Sequence, residues 1–173
     1  DFDLAPLEKF SGRKLQYFDP ERNETYVLYV VETSVGLDRL FLAIFSNCLK
    51  DEVLEDGSER TVLTLPPALA PVKAAILPLM KKDGLGEYGE KIFNDLKYDF
   101  NVIYEEKDSI GKRYRRQDAI GTPFCITVDH DSLNDNTVTL RYRDTMEQER
   151  VPVSELRRII DEKVNFRTLL SKI

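Results

Sequence analysis

The sequence predicts an α/β fold: a mixed, mainly parallel five-stranded sheet flanked by about three helices, preceded by an antiparallel strand pair and a buried helix. Three observations predict it. Between residues 72 and 129 short apolar runs alternate with helical apolar stripes, which is the pattern of βαβαβ units and right-handed crossovers. After them come two strand-like runs joined by a tight polar turn and a last amphipathic helix. Before them, residues 14–48 read as a hairpin running into a strongly apolar helix.

In the first region, KLQYF (14–18) and YVLYVV (26–31) flank DPERNE, whose Asp-Pro and Asn mark a turn. The second run is apolar on both faces, so a central, covered strand is expected. From Leu37, apolar residues recur at Leu40, Phe41, Ile44 and Phe45, and Leu42 and Ala43 widen the stripe, so this helix is expected to be largely buried. The stretch LKDEVLEDGSERTVLTLPPALAPV is charged and then punctuated by Pro66, Pro67 and Pro71, which favours a connector. The division that follows is a first domain over 1–50, a connector over 51–70 and a second domain over 71–173.

In the second domain, VKAAILPLM (72–80) is a buried strand. Leu85, Tyr88, Ile92, Phe93 and Leu96 form a helical stripe. NVIYEE (101–106) is a strand, SIGKRYRRQDAIG (109–121) a helix and TPFCITVD (122–129) a third strand. TVTLRYRD (137–144) and QERVPV (148–153) make a hairpin, and Ser154 is the expected cap of a final helix with Leu156, Ile159, Ile160 and Val164 inward.

With 173 residues, 42% of them hydrophobic, the chain is long enough to bury a sizeable core. A net charge of -6 argues against a simple polycationic nucleic-acid binder, although a local basic face remains open. Cys48 and Cys125 sit in apolar runs with no CxxC partner, which speaks for buried reduced thiols rather than a disulfide framework or zinc site. No metal site is expected. No apolar run approaches the roughly 20 residues of a membrane span, and DFDLAPLEKF has no basic n-region or cleavage site. A cytoplasmic protein with no membrane partner is the expectation. A first residue that is Asp rather than Met fits a processed or partial chain.

Two clusters could carry chemistry. At the strand-to-helix join, VVETSVGLDRLFLAIFSN places Glu32, Ser34, Gly36, Asp38 and Arg39 together. A helix amino terminus offers unpaired N–H groups that attract phosphate or carboxylate, and Arg39 adds a guanidinium suited to phosphate oxygens. Gly36 would let a ligand approach the backbone, and Glu32 could meet a cationic amine. The same residues fit a plain cap equally well, with Ser34 capping, Asp38 favouring the dipole and Arg39 paired with a nearby acid. The second cluster is KDSIGKRYRR (107–116), five basic residues against one acid. Lys112, Arg113, Arg115 and Arg116 would make a cationic stripe, with Ile110 and Tyr114 inward. Such a stripe can neutralise phosphates, and arginine can stack on or bond to unpaired bases; a solvated face paired with the protein's own acids is the plainer alternative. His130, in DHDSLND, reads as a solvated loop residue without a catalytic role.

ETSVGLDRLFLAIF resembles the third signature motif of class II aminoacyl-tRNA synthetases. Together with LPPALAPVKAAILPL, DSIGKRYRRQDAIGTPFCITVD and TVTLRYRDTMEQERV, it resembles the carboxyl-terminal part of the homodimeric-type glycyl-tRNA synthetases over essentially the whole chain. The resemblance implies that 1–50 is a piece of a class II catalytic domain and 71–173 an anticodon-binding domain. It implies that Arg39, with Gly36, contacts ATP phosphates as the catalytic arginine, and that Glu32 and Ser34 hold glycine, with the acid facing its amino group. Thr33 departs from the proline common in the family, while Glu32 and Ser34 keep their spacing. Arg141, Arg143, Asp144 and Thr145 join Lys112, Arg113, Arg115 and Arg116 as tRNA-contacting candidates. The activity implied for the whole enzyme is the attachment of glycine to its tRNA using ATP and Mg²⁺ through glycyl-adenylate, by a homodimer. The first two class II motifs are not in this sequence, so the chain alone is expected to be inactive and to hold no nucleotide tightly. Two other readings remain: a sister synthetase of threonyl, prolyl or histidyl type, and a noncatalytic adaptor reusing the fold.

Overall fold

A computed structural model describes residues 3–171. It divides into two compact units, Asp1–Leu40 and Phe41–Ile173, and the helix α2 (Leu37–Cys48) contains the division.

The first unit carries α1 (Leu4–Ser11) and a two-stranded sheet of β1 (Gln16–Asp19) and β2 (Glu24–Val27), paired antiparallel with Tyr17 opposite Tyr26. The α1 helix ends at Gly12 in the left-handed conformation, whose N–H bonds the Glu8 carbonyl, a stop that glycine adopts without a Cβ penalty. The hairpin is therefore where the turn chemistry puts it. Its second strand is neither central nor covered, because its sheet has two strands and the irregular segment after Val27 leaves Tyr29 and Val31 exposed. Likewise no residue of α2 is buried, and Leu37, Phe41 and Leu42 are each more than half exposed. Apolar periodicity identifies the face that seeks cover; it does not guarantee that the chain supplies the cover.

In the second unit the stretch expected to be a connector folds. Strands β3 (Leu49–Val53) and β4 (Glu59–Leu63) form an antiparallel hairpin whose tight turn uses Gly57 at positive φ. Val62 and Leu63 are buried, so the charged residues that made this stretch look like a linker are only its outer face.

The main sheet contains β5 (Ala74–Pro78), β6 (Val102–Tyr104), β7 (Phe124–Val128), β8 (Thr137–Tyr142) and β9 (Gln148–Pro152), in the order β6-β5-β7-β8-β9. Strand β5 pairs parallel with β6 and β7, while β7–β8 and β8–β9 pair antiparallel. The sheet is thus mixed, with its pairings divided evenly rather than mainly parallel. On one face, Ile76, Ile126, Val138 and Leu140 meet α3 (Leu85–Leu96) and α6 (Leu156–Val164) through Leu85, Ile92, Leu96, Leu156 and Ile160. On the other, Ala75, Leu77 and Cys125 meet Ile110 and Tyr114 of α4 (Ile110–Ile120).

Two short helices were not legible as such: α5 (His130–Asp135), where His130 is exposed on the first turn, and α7 (Phe166–Leu170). The start of α5 is fixed by a capping box in which Asp129 accepts from Ser132 N–H and Ser132 accepts from Asp129 N–H. Ser154 does not cap α6 but lies inside a 3₁₀ turn, Val153–Glu155, that leads into it.

Candidate functional site

The helix α4 determines where the basic cluster goes. Ile110 and Tyr114 face the sheet, and positions three, seven and eight after Ile110 share that side of a 3.6-residue helix. Arg113, Gln117 and Asp118 therefore turn inward and are buried. Arg113 donates to the carbonyls of Pro78 (2.7 Å), Glu105 (3.0 Å) and Leu79 (3.4 Å), tying together the carboxyl ends of β5 and β6. Burial pulls its guanidinium below the ordinary value, against the opposing charge of Glu105. Its Nε is buried without a hydrogen-bond partner among the described residues.

Arg141 and Arg143 are interior residues as well, not surface contacts. Arg141 grips Asp118 with two bonds, of 2.8 and 2.9 Å, and its guanidinium lies 4.8 Å from the centre of the Tyr114 ring. Burial opposes its charge, yet the Asp118 carboxylate outweighs that and leaves its pKa raised. Arg143 donates to the carbonyls of Gly121 and Leu65, each at 2.7 Å, and to the carboxylate of Asp144. Arg60, which sequence reasoning missed, completes the set: it bonds Glu52 (2.8 Å), Asp118 (3.3 Å) and the Arg143 carbonyl (3.0 Å), clamping the β3–β4 hairpin to α4. Cys125 lies beneath this network, and burial pushes its thiol up to about 12 despite the nearby Arg141. Cys48 is half-buried, and both thiols are free.

The expected cationic stripe is correspondingly thin. Arg116 is exposed but engaged by Glu105 (2.5 Å) and Asp108 (2.9 Å), and Arg115 is half-buried with a weak 3.4 Å bond to Ser58. Lys107 and Lys112 are exposed and make no ion pair among the described residues. Thr145 is exposed at the tip of the β8–β9 hairpin, beside a cleft of about 420 Å³ lined by Pro67, Pro123, Tyr142 and Lys163.

The more open surface lies on the sheet itself. Tyr114 bonds Thr127 at 2.6 Å, which puts Thr127 on the α4 face. Register then carries that face across β8 and β9: Thr127 opposes Thr139, Thr139 opposes Arg150, Cys125 opposes Arg141 and Arg141 opposes Gln148. The α4 helix covers this face as far as Arg141. Beyond it, half-buried Thr137 and Thr139 and exposed Gln148 and Arg150 form an uncovered polar sheet surface next to Asp129. The signal was present in TVTLRY, where Val138 and Leu140 alternate with Thr137, Thr139 and Arg141.

A family model described as "Anticodon binding domain" matches residues 73–163. The chain belongs to the anticodon binding domain family. Among curated relatives, the glycine–tRNA ligases of Chlorobaculum tepidum and Macrococcus caseolyticus are 52% and 54% identical over 95% and 96% of this chain. The chain spans only 35% and 36% of their length. The RNA binding domain of threonyl-tRNA synthetase from Cryptosporidium parvum superposes with a TM-score of 0.53 at 24% identity, covering 58% of this chain and 25% of that one, which is a likeness of fold. The mixed sheet and its helices are thus those of an anticodon binding domain, and the open β7–β9 surface lies within the matched residues.

The residues of the first cluster lie outside that match. Glu32, Ser34 and Gly36 are exposed on the irregular segment before α2, and Arg39 is exposed in its first turn. Among the described residues none of these side chains makes a hydrogen bond or ion pair, so neither the plain-cap pairing of Arg39 nor a cap by Ser34 is present. A Cβ at Gly36 would meet only the stem of Arg39, at 3.8 Å, leaving the backbone open to a close ligand. Among the described residues no group of three or more His, Cys, Asp or Glu is arranged to hold a metal ion, and no helix is long and apolar enough to cross a membrane.

Proposed function

We propose that this chain is part of a cytoplasmic, ATP-dependent glycine–tRNA ligase, in which it supplies anticodon recognition and the arginine of the third class II motif. The observation that carries the reading is identity above half to glycine–tRNA ligases along nearly the whole chain. RNA meets the anticodon binding domain on the open face of β7, β8 and β9, where Thr139, Gln148 and Arg150 offer donors and acceptors to unstacked bases. Lys107, Lys112 and Arg115 lie on or beside the adjoining helix α4 and neutralise backbone phosphates. Buried Arg113, Arg141 and Arg143 serve this surface by fixing its frame, and Thr145 lies at the hairpin tip as an outlying contact.

In the other unit, Arg39 and the open backbone at Gly36 fit the phosphate tail of ATP, and Glu32 and Ser34 fit the ammonium and carboxylate of glycine. Mg²⁺ with ATP is held largely by the phosphates and one or two carboxylates. Glycine has no side chain to grip, so selection rests on recognising the ammonium and leaving no room for larger groups. The uncovered apolar side chains of α2 support burial against further protein surface in the assembled homodimeric enzyme.

The test is binding of this chain to a glycine tRNA transcript and to the same body with another anticodon. Clear preference for the glycine anticodon supports the reading; equal binding contradicts it.

A further inference from the structure

The helix α2 ends without a linker. Its last residue, Cys48, is followed directly by Leu49, the first residue of β3, and Phe41–Cys48 belongs to the same compact unit as the anticodon binding domain. Thr64, just past β4, closes this junction. Its N–H (2.8 Å) and its hydroxyl (3.0 Å) both donate to the Cys48 carbonyl, one of the groups that a helix end leaves unpaired.

The hairpin is then locked to α4 and the sheet. Buried Arg60, opposite Glu52 in the register, takes that carboxylate with Nε (2.8 Å) and Nη2 (2.7 Å), while its Nη1 donates to Asp118 Oδ2 (3.3 Å) and to the Arg143 carbonyl (3.0 Å). Arg143 reaches back to the Leu65 carbonyl (2.7 Å). Gly121, at the left-handed end of α4, lies so close to β4 that a Cβ there would stand 3.0 Å from the Leu63 carbonyl oxygen. Segments between domains are ordinarily exposed and flexible, with few contacts crossing them. This one buries Arg60, Val62 and Leu63, and turning it breaks charge-assisted bonds to Asp118, a carboxylate with no exposed surface.

We propose that the β3–β4 hairpin is a strut in which Arg60 and Thr64 are positioning residues: they hold the carboxyl end of α2 in one orientation to the anticodon binding sheet, so that a tRNA engaged there brings its acceptor end to the active site. This rests on the ligase reading above. Such a tRNA is held at both ends, and the second contact gains from the first only while the joint between them spans the right distance. The strut therefore acts on the transfer of glycine to tRNA, and neither on adenylate formation nor on anticodon affinity.

The test uses the Chlorobaculum tepidum ligase carrying this chain in place of its matching segment. Charging of whole glycine tRNA, glycine-dependent pyrophosphate exchange without tRNA, and affinity for a GCC anticodon stem-loop are measured side by side. A flexible Gly-Ser-Gly-Ser insertion between Cys48 and Leu49 is expected to lower kcat/KM for tRNA roughly tenfold, part of the gain of about a hundredfold or more that linked contacts supply, with exchange and stem-loop affinity kept within about twofold. Arg60→Lys keeps the charge and loses the fork, and Thr64→Val keeps the shape and loses the hydroxyl. Both are expected to show the same selective loss on a smaller scale, and Thr64→Ser to restore charging. Unaltered charging in the folded insertion variant, or in both substituted variants should the insertion not fold, overturns the strut. Loss of exchange or of stem-loop affinity in step with charging also overturns it, since that marks a general structural role. Failure of the unaltered graft to charge tRNA contradicts the ligase reading itself, and the strut falls with it.

Discussion

Arg141 meets Asp118 through two nearly equal bonds, of 2.8 and 2.9 Å, inside the fold, and Asp118 is shared with Arg60. A carboxylate with no exposed surface thus joins a helix, a sheet strand and the β3–β4 hairpin. Removing one member leaves buried charge uncompensated, which costs about 3–5 kcal/mol. Asp118→Ala is expected to destabilise by that order, and Asp118→Asn to recover only part of it, in urea denaturation. A loss under about 1 kcal/mol for the alanine variant would show that the network contributes little to stability.

Two glycines in helices should respond to alanine with opposite signs. A Cβ at Gly89 would lie 2.8 Å from Pro78 Cγ and 3.2 Å from Tyr104, where a fixed proline ring cannot give way. The overpacking cost of about 1–3 kcal/mol exceeds the helix-propensity gain of up to about 1 kcal/mol. At Gly111 a Cβ meets nothing within 4 Å, so only the gain remains. Gly89→Ala is expected to lower the melting temperature and Gly111→Ala to raise it.

Acid should loosen the α5 corner through Asp129. Its folded pKa lies below the ordinary 3.8, because the bonds from Arg150 and Ser132 outweigh the effect of burial. The ionised carboxylate therefore contributes stability that is complete above pH 3.8 and lost as pH falls through the lower folded value. Asp129→Asn should flatten the pH dependence of unfolding below about pH 4 and leave the profile near neutrality unchanged in shape.

The role proposed for Arg39 is tested by grafting this chain in place of the matching segment of the Chlorobaculum tepidum ligase. Arg39→Ala in the graft is expected to lower glycine-dependent pyrophosphate exchange about a hundredfold, the scale of losing one charge-stabilising donor. Unchanged exchange would remove Arg39 from phosphate binding.

The legible part of the fold was what backbone periodicity controls. Both βαβ crossovers, the terminal hairpin and the α6 stripe sit within a few residues of their expected bounds. The β3–β4 hairpin was hidden because its charged outer face and the prolines after it look like a linker, while Val62 and Leu63 inward are too few to stand out. Charge alone says nothing of burial. The charge pattern counts Arg113 in a cationic stripe and the resemblance adds Arg141 and Arg143 as tRNA contacts, although Arg113 shares the helical face of Ile110 and Arg141 shares the strand face of Cys125. Long side chains with five donors are well suited to sealing buried carbonyls and carboxylates, and here they do so. Thr139, Gln148 and Arg150 escaped notice because each is ordinary in sequence and becomes a surface only through strand register.

The account turns on the open face of β7, β8 and β9. The most direct measurement is the backbone amide NMR spectrum of the chain titrated with a GCC anticodon stem-loop. The expected result is that shifts cluster at Thr127, Thr139, Gln148, Arg150 and the exposed side of α4, while the Lys163 end of the 420 Å³ cleft stays unperturbed. Shifts centred on that cleft, with β9 silent, would contradict it.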